Sequence, residues 1–172
     1  MTVSLSSGPD LLSVLLPASP HLHDLRASRD KVVQATRDSH AALFDPGLDQ
    51  ALDLHTRHAV ALYVAVLNAQ PALAEYYRSQ LLDDGLAPAW RAAIEADDLD
   101  SVGDPRLQRI LGYARVLTLT PEQGDRQALH GLLEQGLGPV EAVNLAQLVA
   151  FLAFEARLLG GLSVIGEKRE PA

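Results

Sequence analysis

Proline and glycine divide the chain into segments of helical length, and no segment alternates apolar and polar residues as a strand does. The pattern predicts an all-α fold of about seven helices. A short first helix begins near Pro9 and stops before Pro17. A more polar, largely exposed helical segment then runs from Ser19-Pro20 to Phe44, with a break near Ser28 as an alternative.

The most apolar part of the middle of the chain predicts a tight helical hairpin. After a turn at Asp45-Pro-Gly, a helix starts at Asp49 or a neighbour and runs to Leu67. It is apolar on every face from Ala59 onward, so we expect it to be central. It ends at Asn68-Ala-Gln-Pro71, where asparagine tolerates left-handed geometry and proline suits the first turn of a second helix that reaches about Leu82.

The rest of the chain repeats the same punctuation. Gly136 is expected to close one helix in the left-handed conformation, with Leu137 packing back. Beyond Gly166 the charged tail has nothing to bury and is expected to fray. The predicted helices are Ala87–Ala96, Asp104-Pro105 to Thr118, a repeat of that start signal at Thr120-Pro121, Asp125–Gln135, and Gly138-Pro139 to Val164.

Composition supports a helical protein with an apolar core. Hydrophobic residues make up 48% of the 172 residues but aromatics only 5%, so Leu, Ala and Val must build the core. That length predicts a single domain, residues 1–172, divided into an N-terminal helical extension (1–47), a core (48–166) and a frayed tail (167–172).

Charge and hydropathy narrow the partners and the location. With 22 acidic against 14 basic residues, and Lys168-Arg169 as the only basic cluster, we expect no nucleic-acid partner. The segment Leu145–Ile165 is interrupted by Gln147, Glu155 and Arg157, which favours a buried helix over a membrane span. Because the N-terminus lacks the features of a signal peptide, we expect a cytoplasmic protein.

Several classes of chemistry lack the residues they need. The sequence contains no cysteine, which removes disulfides, thiolate ligands and thiol catalysis. It also lacks a Gly-x-Ser-x-Gly elbow, a phosphate-binding loop and a dinucleotide fingerprint, so we expect no cofactor.

Metal sites are poorly supported. His55 and His58 lie three residues apart on one helix and could share an ion with Asp53 or Glu75, but further ligands are not evident, so we expect no metal. His21 and His23 are interpreted as surface residues. The acidic loop 97–104 resembles a calcium loop only partly, because Val102 and Arg109 fall at ligand positions; a solvated capping loop is favoured.

The tyrosine pair Tyr76-Tyr77 lies on the second helix of the hairpin. If one ring faces inward, its hydroxyl needs a hydrogen-bond partner, for which His58 or Asn68 would serve. A packed, hydrogen-bonded aromatic is favoured over a catalytic role.

Two parts of the sequence together resemble the carboxymuconolactone decarboxylase and AhpD-like alkylhydroperoxidase superfamily. The hairpin segment Arg57–Ala69 resembles its core helical hairpin. The C-terminal half is similar to the peroxidase-related branch. The matching stretches there are Leu117–Pro121, Gly136–Val143 and Leu148–Gly161, with their phenylalanines, Arg157 and the following glycines.

The resemblance implies a fold but not the family's peroxidase reaction. Family members use a Cys-x-x-Cys pair with an upstream glutamate and a following histidine. Aligned on Asn68, this sequence has Gln70 and Leu73 at the cysteine positions, His58 at the glutamate position and Tyr77 at the histidine position. Thiol peroxidase activity is therefore excluded for this chain.

Three interpretations of function stay open. The first is an AhpD-like protein of unknown, non-thiol activity. The second is a lyase or decarboxylase-type enzyme with His58 as general base and Tyr77 as acid, acting on a small carbonyl or carboxylate. The third is a non-catalytic partner of a cysteine-containing relative. The resemblance implies a homo-oligomer, a trimer or a hexamer, and the excess apolar residues of the last helix agree with a covered face.

Overall fold

The computed structural model describes residues 10–17, 19–48, 52–83 and 85–167, and all regular structure in these ranges is helical. The all-α prediction is confirmed. Within these described ranges, two single 3₁₀ turns, Leu99–Ser101 and Pro121–Gln123, accompany nine α-helices. These are α1 Leu11–Leu15, α2 Pro20–Ala27, α3 Asp30–Leu43, α4 Leu54–Leu67, α5 Pro71–Asp83, α6 Pro88–Glu95, α7 Pro105–Leu119, α8 Arg126–Glu134 and α9 Pro139–Glu167.

Eight of the predicted helical segments form α-helices, and the division of one polar segment gives the ninth α-helix of the described residues. The alternative break near Ser28 is present: α2 ends there and α3 begins at Asp30. The start signal at Thr120-Pro121 produces only a 3₁₀ turn, and Asp125 then caps α8 through its side chain. Pro9 and the tail 168–172 lie outside the described residues.

Helix α4 is the centre of the bundle, as its apolar sequence predicts. Every residue from Thr56 to Ala65 is buried, and the helix packs against α5, α6, α7 and α9. Its start differs from the prediction: residues 49–51 lie outside the described part, and α4 begins at Leu54 because Asp53 accepts a hydrogen bond from the Thr56 backbone N–H at 2.8 Å.

The α4–α5 hairpin is present, but its left-handed residue is not the predicted one. Ala69 has φ of 52°, whereas Asn68 has φ of −88° and its side-chain amide donates to the Val64 carbonyl at 2.8 Å. Asn68 thus caps the helix, and the next residue makes the reversal. The prediction for Gly136 is confirmed, with φ of 95° and Leu137 buried behind it.

The long C-terminal helix α9 packs against both the hairpin and the helices α1–α3, which form an N-terminal cover. It packs against α4 and α7 on one side, and α1, α2 and α3 lie along another. By length and composition its span Pro139–Gly166 could cross a membrane, with 44% of the most apolar window buried in the bundle. Core helices of globular proteins meet the same criterion, so it carries little weight.

Candidate functional site

The two residues predicted as catalytic, His58 and Tyr77, both stack on one aromatic ring, that of Phe44. The Phe44 ring, at the end of α3, stacks on His58 with centroids 5.3 Å apart and on Tyr77 at 5.5 Å. Arg57 fixes this segment, because its guanidinium donates to the backbone carbonyls of Leu43 and Asp45. His58 and Tyr77 therefore share an apolar neighbour, the Phe44 ring.

The hydroxyl of Tyr77 has a partner that the sequence did not suggest. It donates to Oε2 of Glu155, on α9, at 3.3 Å, and both side chains are fully buried. The prediction that His58 or Asn68 would bind this hydroxyl was wrong. Helix α9 crosses the hairpin here and brings a carboxyl group to the tyrosine.

Glu155 is held in an environment that favours its neutral form. Its pKa is raised to about 8, chiefly by burial; the Tyr77 hydrogen bond and Arg26 oppose this rise, and the charge of Asp10 adds to it. Its Oε1 is buried and has no hydrogen-bond partner among the described residues. At neutral pH Glu155 is mostly protonated, and since Oε2 accepts from Tyr77, the proton on Oε1 is a donor that nothing in the described chain receives.

A buried ion pair lies close enough to influence Glu155. Asp10 caps α1, and Nε of Arg26 on α2 donates to its Oδ2 at 2.7 Å, with both residues buried. Burial alone would raise the pKa of Asp10, but hydrogen bonds from Arg26 and Ser13 outweigh it and lower the pKa. Asp10 is therefore ionised, and the N-terminal helices carry a paired charge over α9.

A second histidine lies beside the aromatic rings. The His40 ring, on α3, lies with its centroid 4.8 Å from that of Phe44 and 6.4 Å from that of Tyr76, and its Nε2 is buried with no hydrogen-bond partner in the described part of the chain. Burial and the charge of His58 lower its pKa to about 4. His40 is therefore neutral at physiological pH.

The two positions that correspond to the family's cysteines contain no reactive group. Leu73 is fully packed into the core. Gln70 lies against α9 at Gly160, where an added Cβ would come within 2.9 Å of the Gln70 Nε2. The amide thus occupies a close approach between the hairpin turn and α9, and no thiol chemistry can occur there.

The other chemical candidates have structural partners. Within the described ranges, no group of three or more His, Asp or Glu side chains is arranged to hold a metal ion. In the acidic loop, Asp97 binds Tyr63 and Arg115, Asp98 accepts from Ser101, and Asp104 caps α7. These bonds agree with a capping loop.

Sequence reasoning missed four residues of this centre: Asp10, Arg26, His40 and Glu155. Glu155 offered a usable signal, since it is an acid on a helix stripe shared with Leu148, Leu152, Leu159 and Leu162, all of them buried. Arg26 and His40 occur in polar helices and Asp10 caps the short α1, and nothing in the sequence marks these three as part of the centre.

Comparisons with known proteins support the fold. No protein-family model matches the chain, and no curated protein matches it in sequence. It is similar to a crystal structure described as an alkylhydroperoxidase AhpD core, an uncharacterized peroxidase-related protein from Ralstonia eutropha JMP134. The TM-score is 0.70 at 16% identity, over 94% of this chain and 90% of that one. The chain therefore has the AhpD-like fold that the resemblance predicted, with no cysteine in its sequence.

Proposed function

We propose that this protein is a cysteine-free acid–base enzyme on the AhpD-like fold, with Glu155 as proton donor and Tyr77 as the residue that positions it. The supporting observation is the buried Tyr77–Glu155 hydrogen bond together with the unpartnered Oε1 of Glu155. A carboxyl group with a pKa near the working pH is suited to general acid catalysis.

The arrangement favours proton transfer over other reaction types. His58 lies on α4 and Tyr77 on α5, and both rings stack on Phe44. A base and an acid are therefore held in one aromatic environment. A small carbonyl or carboxylate compound that loses or gains a proton next to a carbonyl group would use such a pair. A lyase or decarboxylase-type reaction fits this description.

The test is turnover of a panel of small keto acids and lactones, followed by carbon dioxide release and ultraviolet absorbance. Glu155→Gln preserves the shape and the acceptor for Tyr77 but removes the transferable proton. We expect it to reduce kcat by about a hundredfold or more. Tyr77→Phe keeps the carboxyl group but removes a hydrogen bond that lowers the pKa of Glu155. The pKa should therefore rise, and the upper limb of the pH–rate profile should move to higher pH.

Glu134→Gln is the matched control, because this exposed glutamate on α8 is remote from the hairpin and should leave turnover unchanged. Full activity of Glu155→Gln would contradict the proposal. So would the absence of turnover across the panel combined with an ordinary pKa for Glu155 measured by carbon-13 NMR.

A second candidate function is a non-catalytic oligomeric partner, supported by the apolar surface of α9. Val140, Val143, Phe154, Val164 and Ile165 are between 41% and 57% exposed, more than a solvated helix needs. Covering them would take another copy of the chain or a related subunit. Light scattering and native mass spectrometry with a cysteine-containing relative would distinguish a self-assembled oligomer from a mixed one; a monomer at micromolar concentration would contradict both.

A further inference from the structure

An apolar cleft separates the N-terminal cover from α9. It has a volume of about 360 Å³ and lies between α2, α3 and the α9 residues Phe154, Leu158 and Leu162. A second hollow of similar volume continues it toward Phe151, and the two share Val32 and Phe154. Each is within the size range of small-ligand sites, which are mostly apolar with a few polar groups.

Among the described residues, every charged side chain that lines these two hollows is basic. Arg26 and Arg29 line the first and Lys31 lines the second, with no carboxylate among the described lining residues. This contrasts with a chain whose net charge is −8. Arg29 and Lys31 are exposed at the rim, whereas Arg26 is buried in the wall.

The buried guanidinium of Arg26 retains an unused donor. Its Nε donates to Asp10 Oδ2 at 2.7 Å and its Nη2 lies 2.7 Å from the same oxygen, whereas its Nη1 makes no hydrogen bond with the described residues. A buried cationic donor without an acceptor is unusual, because leaving it unmade costs desolvation energy. An anionic ligand in the cleft would supply the missing acceptor.

We propose that this cleft binds a small organic anion with a hydrocarbon tail, its carboxylate held by Arg26 and Arg29 and its tail lying along Val33, Leu158 and Leu162. A planar, bidentate guanidinium matches a carboxylate, and a hydrocarbon chain matches the apolar wall. A cationic ligand would be repelled by the three basic groups, and an uncharged hydrocarbon would supply no acceptor to Arg26.

The site differs from the acid–base centre but lies next to it. On α9, Phe151, Glu155, Leu158 and Leu162 follow one another at helical spacing, so Glu155 belongs to the stripe that forms the cleft floor yet is itself covered. Binding does not require Glu155 to be catalytic, and the two proposals can fail separately.

Titration of the full-length protein with decanoate in a calorimeter tests the proposal. We expect saturable binding to one site per chain. Decanol and decyltrimethylammonium should bind at least about tenfold more weakly, because each loses the charged hydrogen bonds. Methyl signals of Val33 and Leu162 should shift in NMR spectra as decanoate is added.

Two variants change the site in different ways. Arg29→Gln should weaken decanoate binding by about tenfold, and Leu158→Trp, which fills the cleft, should abolish it. Arg126→Gln and Leu129→Trp make the same replacements on α8, outside the cleft, and should bind as the wild type does.

Three results would overturn the proposal. One is the absence of saturable decanoate binding, and another is equal affinity for decanoate and decanol. The third is unchanged binding by a Leu158→Trp protein whose circular dichroism is native. If Leu158→Trp instead changes the oligomeric mass while decanoate has no effect, the cleft is a contact between chains rather than a ligand site.

Discussion

Two buried tyrosines, Tyr63 and Tyr77, each donate a hydrogen bond to a carboxyl group, and the two carboxyl groups behave oppositely. Asp97, the partner of Tyr63, has a lowered pKa because that hydrogen bond and Arg115 both favour its charged form. Glu155, the partner of Tyr77, has a pKa raised to about 8 because it is buried. The same tyrosine bond therefore accompanies an ionised group in one place and a neutral one in the other.

The difference lies in water and in the nearest cation. The Asp97 side chain is 37% exposed and Arg115 binds it directly, whereas Glu155 is fully buried and Arg26 is already paired with Asp10. A hydrogen bond from tyrosine is too weak to offset full burial of a carboxylate. The surface carboxyl group is stabilised in its charged form, and the interior carboxyl group is stabilised in its neutral form.

The largest expected effect on stability comes from replacing the arginine near each carboxyl group. Arg26→Leu should lower the free energy of unfolding by about 3–5 kcal/mol, because it leaves Asp10 as a buried, unpaired charge. Arg115→Leu should cost about 0–1 kcal/mol, since water replaces the lost partner. Urea denaturation measures both; equal losses would mean that burial does not distinguish the two ion pairs.

The pH dependence of stability isolates Glu155. Between pH 4.5, its ordinary value, and pH 8, the folded state holds a proton that the unfolded state releases, so stability falls as pH rises. His40, whose pKa is lowered from 6.5 to about 4, contributes the opposite slope below pH 6.5. The net fall should therefore be concentrated between about pH 6.5 and 8, at about 1.4 kcal/mol per pH unit.

Glu155→Gln is the control for that slope, because it keeps the hydrogen bond from Tyr77 but cannot titrate. Its stability should be nearly level from pH 6.5 to 8 in chemical denaturation. A wild-type protein that is equally stable across this window would show that Glu155 is ionised in the folded state.

The smallest effect comes from deleting each tyrosine hydroxyl. Tyr77→Phe should cost about 1 kcal/mol because the buried Oε2 loses its donor, and Tyr63→Phe less because Asp97 keeps Arg115 and water. Both changes should raise the pKa of the partner carboxyl, since each hydrogen bond lowers it. Carbon-13 NMR of the carboxyl groups measures both pKa shifts. An unchanged pKa of Glu155 in Tyr77→Phe would mean that the 3.3 Å contact between Tyr77 and Glu155 is not a functional hydrogen bond.

The hairpin was predictable because its signals are local. Apolar residues on every face announced a buried α4, and Asn68 with Pro71 marked the reversal between two helices. Even there the predicted left-handed residue was wrong. Asparagine favours that conformation, but the Asn68 side chain instead caps α4 by donating to the Val64 carbonyl, and Ala69 adopts the left-handed conformation. Propensity identified the turn, and competing side-chain bonding decided its geometry.

The candidate site was only half predictable. His58 and Tyr77 were singled out from the sequence as titratable groups on the hairpin, and the resemblance then aligned them with the family's glutamate and histidine positions. Their neighbours Glu155 and Arg26 come from helices that are distant in sequence, and their burial arises only when α2 and α9 pack together. Local pattern carries no information about such contacts, although an acid within the apolar stripe of α9 marked one of them.

The Phe44 stack links access to the centre with the folding of the N-terminal helices. Phe44 directly follows α3. Among the described residues, the buried members of α1–α3 are Leu12, Leu22, Arg26 and Thr36, whereas α4 has ten, so this cover is anchored by fewer buried residues than α4. We expect α1–α3 to open as a separate cooperative unit with a lower free energy than global unfolding, visible as faster amide hydrogen exchange. The rate at which small molecules meet Tyr77 and Glu155 would then follow a local opening equilibrium, and stiffening the cover would slow entry without altering the centre itself.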